Sequence, residues 1–193
     1  MNEAAARADA IDRALLQRMA RGDRAALATL YHEYNGRLAR FLSRLTRRPD
    51  VIEEVVNDCF WVAWQHAGDF RGDARVSTWL MGIAYRCGLK ALRRQGEDPV
   101  DAALLAERDD GEDPNEDREL RDLLNKAIEH LSAEQRVVVE LVYGVGHSLN
   151  EVAAILQCPL GTVKARLFHA RVKLLNVIPG LGGDADTRHG SLR

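Results

Sequence analysis

Apolar residues recur every three to four positions along most of the chain, which is the period of an amphipathic helix. In the N-terminal half this pattern covers residues 15–41 and 51–63. Asp50 is placed to cap the second of these helices and Ser77 to cap a third over 78–94, because Asp and Ser side chains accept hydrogen bonds from the first free amides of a helix. We therefore predict a helical bundle in this half of the chain.

Two capping boxes predict helix starts in the C-terminal half. Ser132 is followed three residues later by Gln135, and Ser148 by Glu151. In such a box each side chain bonds the backbone amide of the other residue. The second box opens a short helix over 149–156. The predicted fold class is therefore all-α, with two small helical domains, one in each half of the chain.

A three-residue turn at 157–159 separates that short helix from a last helix over 160–177. Two helices joined in this way, the second of them basic, are typical of a helix-turn-helix. On a helical wheel Gly161, Ala165 and Val172 form an outer ridge of small residues, with cations on both flanks. A narrow ridge between basic flanks suits the major groove of duplex DNA.

The cations of the last helix favour DNA over the alternative, an ordinary solvated surface helix. Four Lys or Arg and no acid occur between residues 160 and 177. The first turn would face base edges, and the flanks would reach phosphates. The residues predicted to contact duplex DNA are Gly161, Thr162, Lys164, Ala165, Arg166, His169, Arg171 and Lys173.

Charge is distributed unevenly along the chain. Residues 1–94 hold 16 Lys and Arg against 11 Asp and Glu, residues 95–120 hold 2 against 11, and residues 121–178 hold 7 against 5. The middle segment is also poor in apolar residues, so it cannot bury enough surface to offset its ordering entropy. We predict a flexible acidic linker over 95–117 and a disordered tail over 179–193.

The remaining composition excludes several classes of protein. The N-terminus lacks the apolar segment of a signal peptide, and no apolar stretch could span a bilayer, so we expect a cytoplasmic protein without membrane insertion. Cys59, Cys87 and Cys158 lack the spacing of metal ligands, and we expect buried, unreactive thiols, no metal and no cofactor. Without a nucleophile–base pair or a phosphate-binding loop, we do not expect an enzyme.

The C-terminal motifs carry a family resemblance. They read SLNEVAAIL over 148–156, PLGTVKARL over 159–167 and AR at 170–171. This series resembles region 4 of bacterial sigma factors of the extracytoplasmic-function (ECF) type. The turn carries Gln157 where that family usually has glycine. Because a positive φ costs a non-glycine residue about 1 kcal/mol, we expect a slightly altered turn.

The N-terminal motifs resemble the same family. The run IEEVVNDCFWVAW over 52–64 is similar to the region 2 helix that binds core RNA polymerase. Phe70, with STWL, IA and LRR at 77–80, 83–84 and 92–94, is similar to the segment that opens the minus-10 promoter element. The chain departs from the family at Asn57 and Asp58, each one methylene shorter than the usual Gln and Glu, and at Tyr85-Arg86, where Arg-Asn is usual.

The polar face of the helix over 51–63 predicts a protein interface. An exposed Trp beside polar groups is typical of an interface anchor, whereas the alternative is a solvated acidic face. The resemblance implies that the partner is the pair of clamp helices of the polymerase β′ subunit. The predicted polymerase-binding residues are Glu53, Glu54, Asn57, Asp58 and Trp61.

The glycine-containing loop over 69–76 and the helix after it predict contact with single-stranded DNA. Aromatic faces stack bases, and Arg neutralises phosphates. The alternatives are a core role for Trp79 and an ordinary basic surface for the helix. The predicted minus-10 residues are Phe70, Arg71, Arg75, Trp79, Tyr85, Arg86, Lys90, Arg93 and Arg94.

The resemblance implies a promoter-specificity subunit. Region 2, over 10–94, would bind core polymerase and open the minus-10 element. Region 4, over 118–178, would bind the minus-35 element and the polymerase β flap. The linker would thread a basic channel of the polymerase or act only as a tether, and an anti-sigma factor would be a further partner.

Two other functions remain possible on the residues alone. One is a dimeric helix-turn-helix repressor or activator, which needs a further apolar face that the pattern does not provide. The other is a regulator that works only through protein contacts, which the basic flanks of the last helix disfavour.

Overall fold

The computed structural model of the chain describes residues 3–96 and 126–186. These residues form helices and turns without a strand, so the all-α prediction is confirmed. Most of the acidic segment over 95–117 lies outside the described residues, as do the last residues of the chain. None of the helices described combines the length and the apolar content that a bilayer crossing requires.

Four helices and a short 3₁₀ turn build the N-terminal domain. They are α1 (Glu3–Met19), α2 (Arg24–Leu42), α3 (Pro49–Gln65), the 3₁₀ turn (Ala67–Asp69) and α4 (Val76–Gln95). The apolar stripes of all four helices meet in one core, in which Leu38, Phe41 and Leu80 are fully buried. Helix α4 is followed by the C-cap residue Gly96, whose φ of 70° is the left-handed conformation that ends many helices.

The C-terminal domain contains the predicted helix-turn-helix. After a helical turn at 126–129 come α5 (Ala133–Val139) with a π-helical end (Glu140–Gly144), then α6 (Leu149–Leu156) and α7 (Leu160–Asp186). Both predicted capping boxes are present, and α6 has the predicted bounds.

The predicted caps of α3 and α4 are wrong. Helix α3 begins at Pro49, which favours a first helical position because it lacks an amide hydrogen, and Asp50 instead accepts a hydrogen bond from Arg48 at 2.6 Å. Helix α4 begins at Val76, one residue before Ser77, and its first amide donates to Asp9 on α1 at 2.8 Å. A carboxylate that is distant in sequence replaces the local cap.

The turn of the helix-turn-helix and the end of the last helix also differ from expectation. Gln157 adopts φ 51°, so the left-handed turn is kept and not altered. The Cys158 amide donates to the Ala153 carbonyl there and helps to offset the strain.

Helix α7 continues to Asp186 through residues we assigned to the tail. Proline and glycine lower helix propensity without forbidding it, and adding a residue to an existing helix costs less than starting a new one.

The two domains pack against each other through α4 and α6. The helices approach closely at Gly82 of α4, where a Cβ would lie 3.9 Å from the Cα of Ile155, an ordinary van der Waals distance that does not by itself require a glycine. Ile155 is almost fully buried and belongs to the same apolar cluster as Leu80 and Leu92 of the N-terminal domain. One continuous core therefore joins the two domains.

Candidate polymerase and nucleic-acid interfaces

The face of α3 opposite the core presents every predicted polymerase-binding residue to solvent. Glu53, Glu54, Asn57 and Asp58 are exposed, and the Trp61 side chain is 61% exposed. These five residues are called the α3 face below. A large indole that is left open to water beside three carboxylates is the composition of an interface anchor.

The loop before α4 carries the first predicted minus-10 residues. The Phe70 ring packs on Trp79 with 5.4 Å between ring centroids, and Arg71 is exposed. A cavity of 310 Å³ lies beside this loop, with Arg13 of α1, Phe70, Arg71 and Gln17 among its lining residues. Trp79 is half-buried and supports Phe70 from the side of the core.

Arg75, at the end of this loop, is bound to the other domain. Its Nε and Nη2 atoms donate to the two carboxylate oxygens of Glu151 on α6, at 2.5 and 2.7 Å. The Thr78 hydroxyl donates to the same carboxylate at 3.1 Å, and the Ser148 amide at 2.8 Å. Burial opposes ionisation of Glu151, but the hydrogen bonds from Arg75 and Ser148 outweigh it and lower its pKa to about 2.

His147 lies in this interdomain contact and was not among the predicted site residues. Its ring is buried, with Nδ1 3.5 Å from the Thr78 hydroxyl and 3.9 Å from the Glu151 carboxylate. Burial lowers the pKa of His147 to about 4, so the ring is neutral at pH 7. We refer to Arg75, Thr78, His147 and Glu151 as the interdomain cluster. No sequence signal marked His147, because its role depends on the packing of α4.

A second polar contact joins the domains at the other end of the interface. Arg44 of the N-terminal domain donates to Glu140 of the π-helical segment at 2.8 Å, and both side chains are largely buried. Arg47 approaches Glu129 at 3.9 Å. The interface therefore combines an apolar centre with ion pairs at two edges.

The remaining minus-10 residues follow α4 outward. Tyr85 is half-buried against Phe41, and burial raises its pKa. Arg86, Lys90 and Arg93 are exposed. Arg94 pairs with Glu54 of the α3 face at 2.5 Å. The structure thus places the basic part of α4 next to the candidate polymerase-binding helix.

The recognition helix α7 has the predicted arrangement of faces. Val163, Leu167 and Ala170 are buried against the domain, whereas Gly161 and Ala165 lie on the exposed ridge. The other predicted residues on or beside this ridge are exposed or half-buried: Thr162, Lys164, Arg166, His169, Arg171, Val172 and Lys173.

Two cations of α7 have partners within their own domain. Arg166 pairs with Glu134 at 2.6 Å, and Arg171 donates to the hydroxyl of Tyr143, with its guanidinium 5.7 Å from the centre of that ring. Tyr143 is 58% exposed and was not predicted. It extends the candidate DNA surface with an aromatic group.

The cysteines and the potential metal ligands form no further site among the described residues. Cys59 is buried, Cys87 and Cys158 are partly buried, and burial raises the pKa of the Cys59 and Cys87 thiols. Within the described part of the chain, no three His, Cys, Asp or Glu side chains are grouped as ligands of a metal ion.

Comparison with known families agrees with this geometry. The sigma-70 region 2 family matches residues 30–97, and the sigma-70 region 4 family matches residues 121–174. The chain is 33% identical over 185 residues to the ECF RNA polymerase sigma-E factor of Haemophilus influenzae, covering 88% of this chain and 96% of that relative. The chain belongs to the ECF sigma factors of the sigma-70 family. The sigma-E factor of Escherichia coli K12 is also 33% identical, over 183 residues, covering 88% of this sigma factor and 95% of the relative.

Solved structures give the same result for this sigma factor. The sigma factor RpoE of Bartonella quintana, in complex with the anti-sigma factor NepR, is 25% identical with a TM-score of 0.61, and covers 79% of this chain and 96% of that one. The structure of CnrH with the cytosolic domain of CnrY has a TM-score of 0.64 at 24% identity, covers 88% of this chain and 97% of that one, and supports the fold.

Proposed function

We propose that this sigma factor is a promoter-specificity subunit that acts in the cytoplasm through three separate surfaces. The α3 face binds the clamp helices of the β′ subunit. The loop around Phe70 and the basic side of α4 bind and open the minus-10 element. Helix α7 binds the minus-35 element in the major groove, while its domain contacts the β flap.

The observation that carries the proposal is the α3 face. A protein that only binds duplex DNA has no use for an exposed Trp61 among Glu53, Glu54 and Asp58, on a helix that lies outside the helix-turn-helix. The nucleotide chemistry then belongs to the polymerase, and this chain needs no catalytic group of its own. An anti-sigma factor is a further proposed partner, by analogy with the NepR complex of the Bartonella protein.

The loop supports the second part of the proposal. The cavity beside Phe70 has an aromatic wall and Arg13 and Arg71 among its lining residues, which is suitable for an unstacked base and its phosphate. Base stacking on an aromatic side chain contributes about 1–3 kcal/mol per base, which favours the open strand over the duplex.

A second candidate function has one observation in its favour. Phe168, Val172 and Leu175 are exposed at the spacing of one helical stripe on α7, and such a stripe could join two copies of a dimeric repressor. A repressor would be dimeric without polymerase and would bind DNA through paired half-sites. Sedimentation of the free chain at micromolar concentration separates the two functions, because the sigma-factor proposal requires no dimer.

The direct test of the proposal is binding to core polymerase. Replacing Trp61→Ala together with Asp58→Ala removes the anchor and one carboxylate of the α3 face. Because truncating an interface anchor typically costs at least 2 kcal/mol, we expect core affinity to fall about 30-fold or more. Fluorescence anisotropy of the labelled chain with core polymerase measures this loss.

The matched control is Ile11→Ala with Glu33→Ala, which also removes one exposed apolar group and one exposed acid but from α1 and α2. This variant should bind core polymerase as the unchanged chain does. Equal affinity of both double variants would show that the α3 face is not the polymerase-binding surface.

A further inference from the structure

The loop that follows Phe70 is held by a helix far away in sequence. Arg13 on α1 donates from Nη1 to the carbonyl oxygen of Gly72 at 3.1 Å and from Nη2 to that of Ala74 at 2.7 Å. The guanidinium carbon also lies 5.4 Å from the centre of the Phe70 ring. One side chain therefore fixes the loop backbone at two points and covers the aromatic group.

Asp9, one turn before Arg13, completes the arrangement. Its Oδ2 atom accepts from Arg13 Nε at 2.6 Å, and its Oδ1 atom accepts from the Val76 amide at 2.8 Å. That amide is one of the free donors at the start of α4, where Arg75 provides no side-chain cap. The carboxylate thus orients Arg13 and caps the helix that follows the loop.

The loop sequence is adapted to this contact at Gly72. Its φ of 80° is a conformation that residues with a Cβ rarely adopt, and a Cβ would lie 2.7 Å from Arg13 Nη1. Any larger residue would displace the guanidinium from the carbonyl that it binds. Gly72 and Arg13 therefore depend on each other.

Helix α1 is a rigid base for these two residues. Leu16 and Met19 are buried against the bundle, and the Tyr34 hydroxyl donates to Asp12, which is also buried. Helix α1 lies before residues 30–97, the range that the region 2 family matches. The matched range therefore does not include Asp9 and Arg13, the two residues that hold the loop.

We propose that Asp9 and Arg13 are positioning residues for promoter opening. They hold the loop from Phe70 to Ala74 in the shape that receives the unstacked strand, and they do so without contributing to polymerase binding or minus-35 recognition. The inference rests on the proposed role of this loop in opening the minus-10 element. It assigns α1 a part in that step through three hydrogen bonds to the backbone at Gly72, Ala74 and Val76.

The test measures strand opening with core polymerase, by permanganate reactivity of minus-10 thymines on a duplex promoter. Arg13→Ala should slow opening about tenfold or more, because loss of a positioning group misplaces the groups that it holds. Asp9→Asn keeps an oxygen for the Val76 amide and loses the ion pair, so its defect should be smaller. Core affinity should be unchanged in both variants, and a template with a pre-melted minus-10 region should restore transcription.

Two further variants make the result decisive. Arg7→Ala removes an exposed arginine from the same helix and should open promoters normally. Gly72→Ala should reproduce the defect of Arg13→Ala without touching α1, and it decides the matter if Arg13→Ala does not fold. Normal opening by Arg13→Ala, or by Gly72→Ala when only that variant is folded, would overturn the proposal.

The loop itself provides the reference. If Phe70→Ala with Arg71→Ala also opens promoters normally, the proposed function of the loop is wrong. If that variant fails while Arg13→Ala succeeds, the loop acts as proposed but Asp9 and Arg13 do not position it.

Discussion

The two candidate DNA surfaces of this sigma factor differ in how far the protein itself already occupies them. At the candidate minus-10 surface, Arg75 is bound by both oxygens of Glu151 from the other domain, and the Phe70 ring contacts both Trp79 and Arg13. At the minus-35 surface, the ridge and Lys164 of α7 are open to solvent. On the proposed function, the ridge and Lys164 can meet duplex DNA as they stand, whereas Arg75 must first leave Glu151 before it can meet a phosphate.

On the proposed function, this difference follows from the form of DNA that each surface would bind. A major groove is a preformed shape, and a helix with small ridge residues fits it without rearrangement. Single-stranded DNA must be trapped as it forms, and its contacts can be covered until then. We expect the interdomain cluster to cover Arg75 in this way until the strand opens.

The largest effect is expected in the loop. Phe70→Ala with Arg71→Ala removes the stacking face and one cation, so strand opening on duplex promoters should fail while minus-35 binding persists. Permanganate reactivity measures strand opening. The electrophoretic mobility of a minus-35 duplex mixed with the free chain measures minus-35 binding. Loss of both properties together would mean that the two surfaces are not separable.

The next effect concerns the interdomain cluster. Glu151→Gln keeps the oxygen that accepts from the Ser148 amide but loses the charge that binds Arg75. Because a hydrogen bond to a charged group contributes roughly 1.5–3 kcal/mol, the contact between the domains should weaken by about that amount. Small-angle X-ray scattering of the free chain should show a larger radius of gyration.

The matched control for that variant is Glu134→Gln, which removes the partner of Arg166 within the C-terminal domain. It should leave the radius of gyration unchanged. If both variants, or neither, expand the chain, the interdomain cluster does not hold the two domains together.

Some of this organisation could be predicted from the sequence and some could not. The apolar stripes, both capping boxes and the ridge of α7 are local patterns, and the structure has them where the sequence predicts them. The cap of α4 was missed because the carboxylate that accepts from the Val76 amide belongs to Asp9, 67 residues earlier in the chain. Ser77 is the local residue best suited to cap α4, but the distant Asp9 carboxylate takes that role.

The interdomain cluster was missed for the same reason. Glu151 was assigned to a capping box, a role that it fills, but its bonds to Arg75 depend on how α6 packs on α4. His147 had no sequence signal, since Thr78 and Arg75, which complete its environment beside Glu151, belong to the other domain. Gln157 shows the opposite error. The glycine preference at a positive φ is worth about 1 kcal/mol, and here the Gln157 and Cys158 amides both donate to the Ala153 carbonyl and help to offset it.

The contact between the two domains at the interdomain cluster should also depend on pH. Burial holds the pKa of His147 at about 4, below its ordinary value near 6.5, with Glu151, Arg75 and Arg37 as the charged groups that act on it. The contact between the two domains is therefore strongest above pH 6.5. Its free energy decreases as the pH falls towards 4, by at most about 1.4 kcal/mol per pH unit. Because the pKa of Glu151 is also lowered, the interdomain contact weakens further as the pH falls from the ordinary pKa of a glutamate to about 2.

Scattering measurements at pH 7.5 and 5.5 test this expectation. The radius of gyration should increase at the lower pH in the unchanged chain, and His147→Gln should remove the increase. A pH-dependent expansion that survives in His147→Gln would assign the effect to other groups.

The smallest effect is expected on the recognition helix. Lys164→Ala should weaken minus-35 duplex binding and lower the dependence of log affinity on log salt by about one unit, because one phosphate contact is lost. Thr162→Ala should instead change which sequences are preferred. Lys126→Ala, an exposed lysine outside α7, is the matched control and should leave the salt dependence unchanged.

The most direct test of the central claim, that one face binds polymerase while a separate loop opens the promoter, compares two variants on two templates. Permanganate reactivity and run-off transcription are measured with core polymerase, on a duplex promoter and on the same promoter with a pre-melted minus-10 region. Phe70→Ala with Arg71→Ala should be inactive on the duplex and restored by the pre-melted template. Trp61→Ala with Asp58→Ala, added at a concentration that only just saturates core polymerase with the unchanged chain, should be defective on both. Equal behaviour of the two variants, or transcription that never depends on this chain binding core polymerase, would contradict the account.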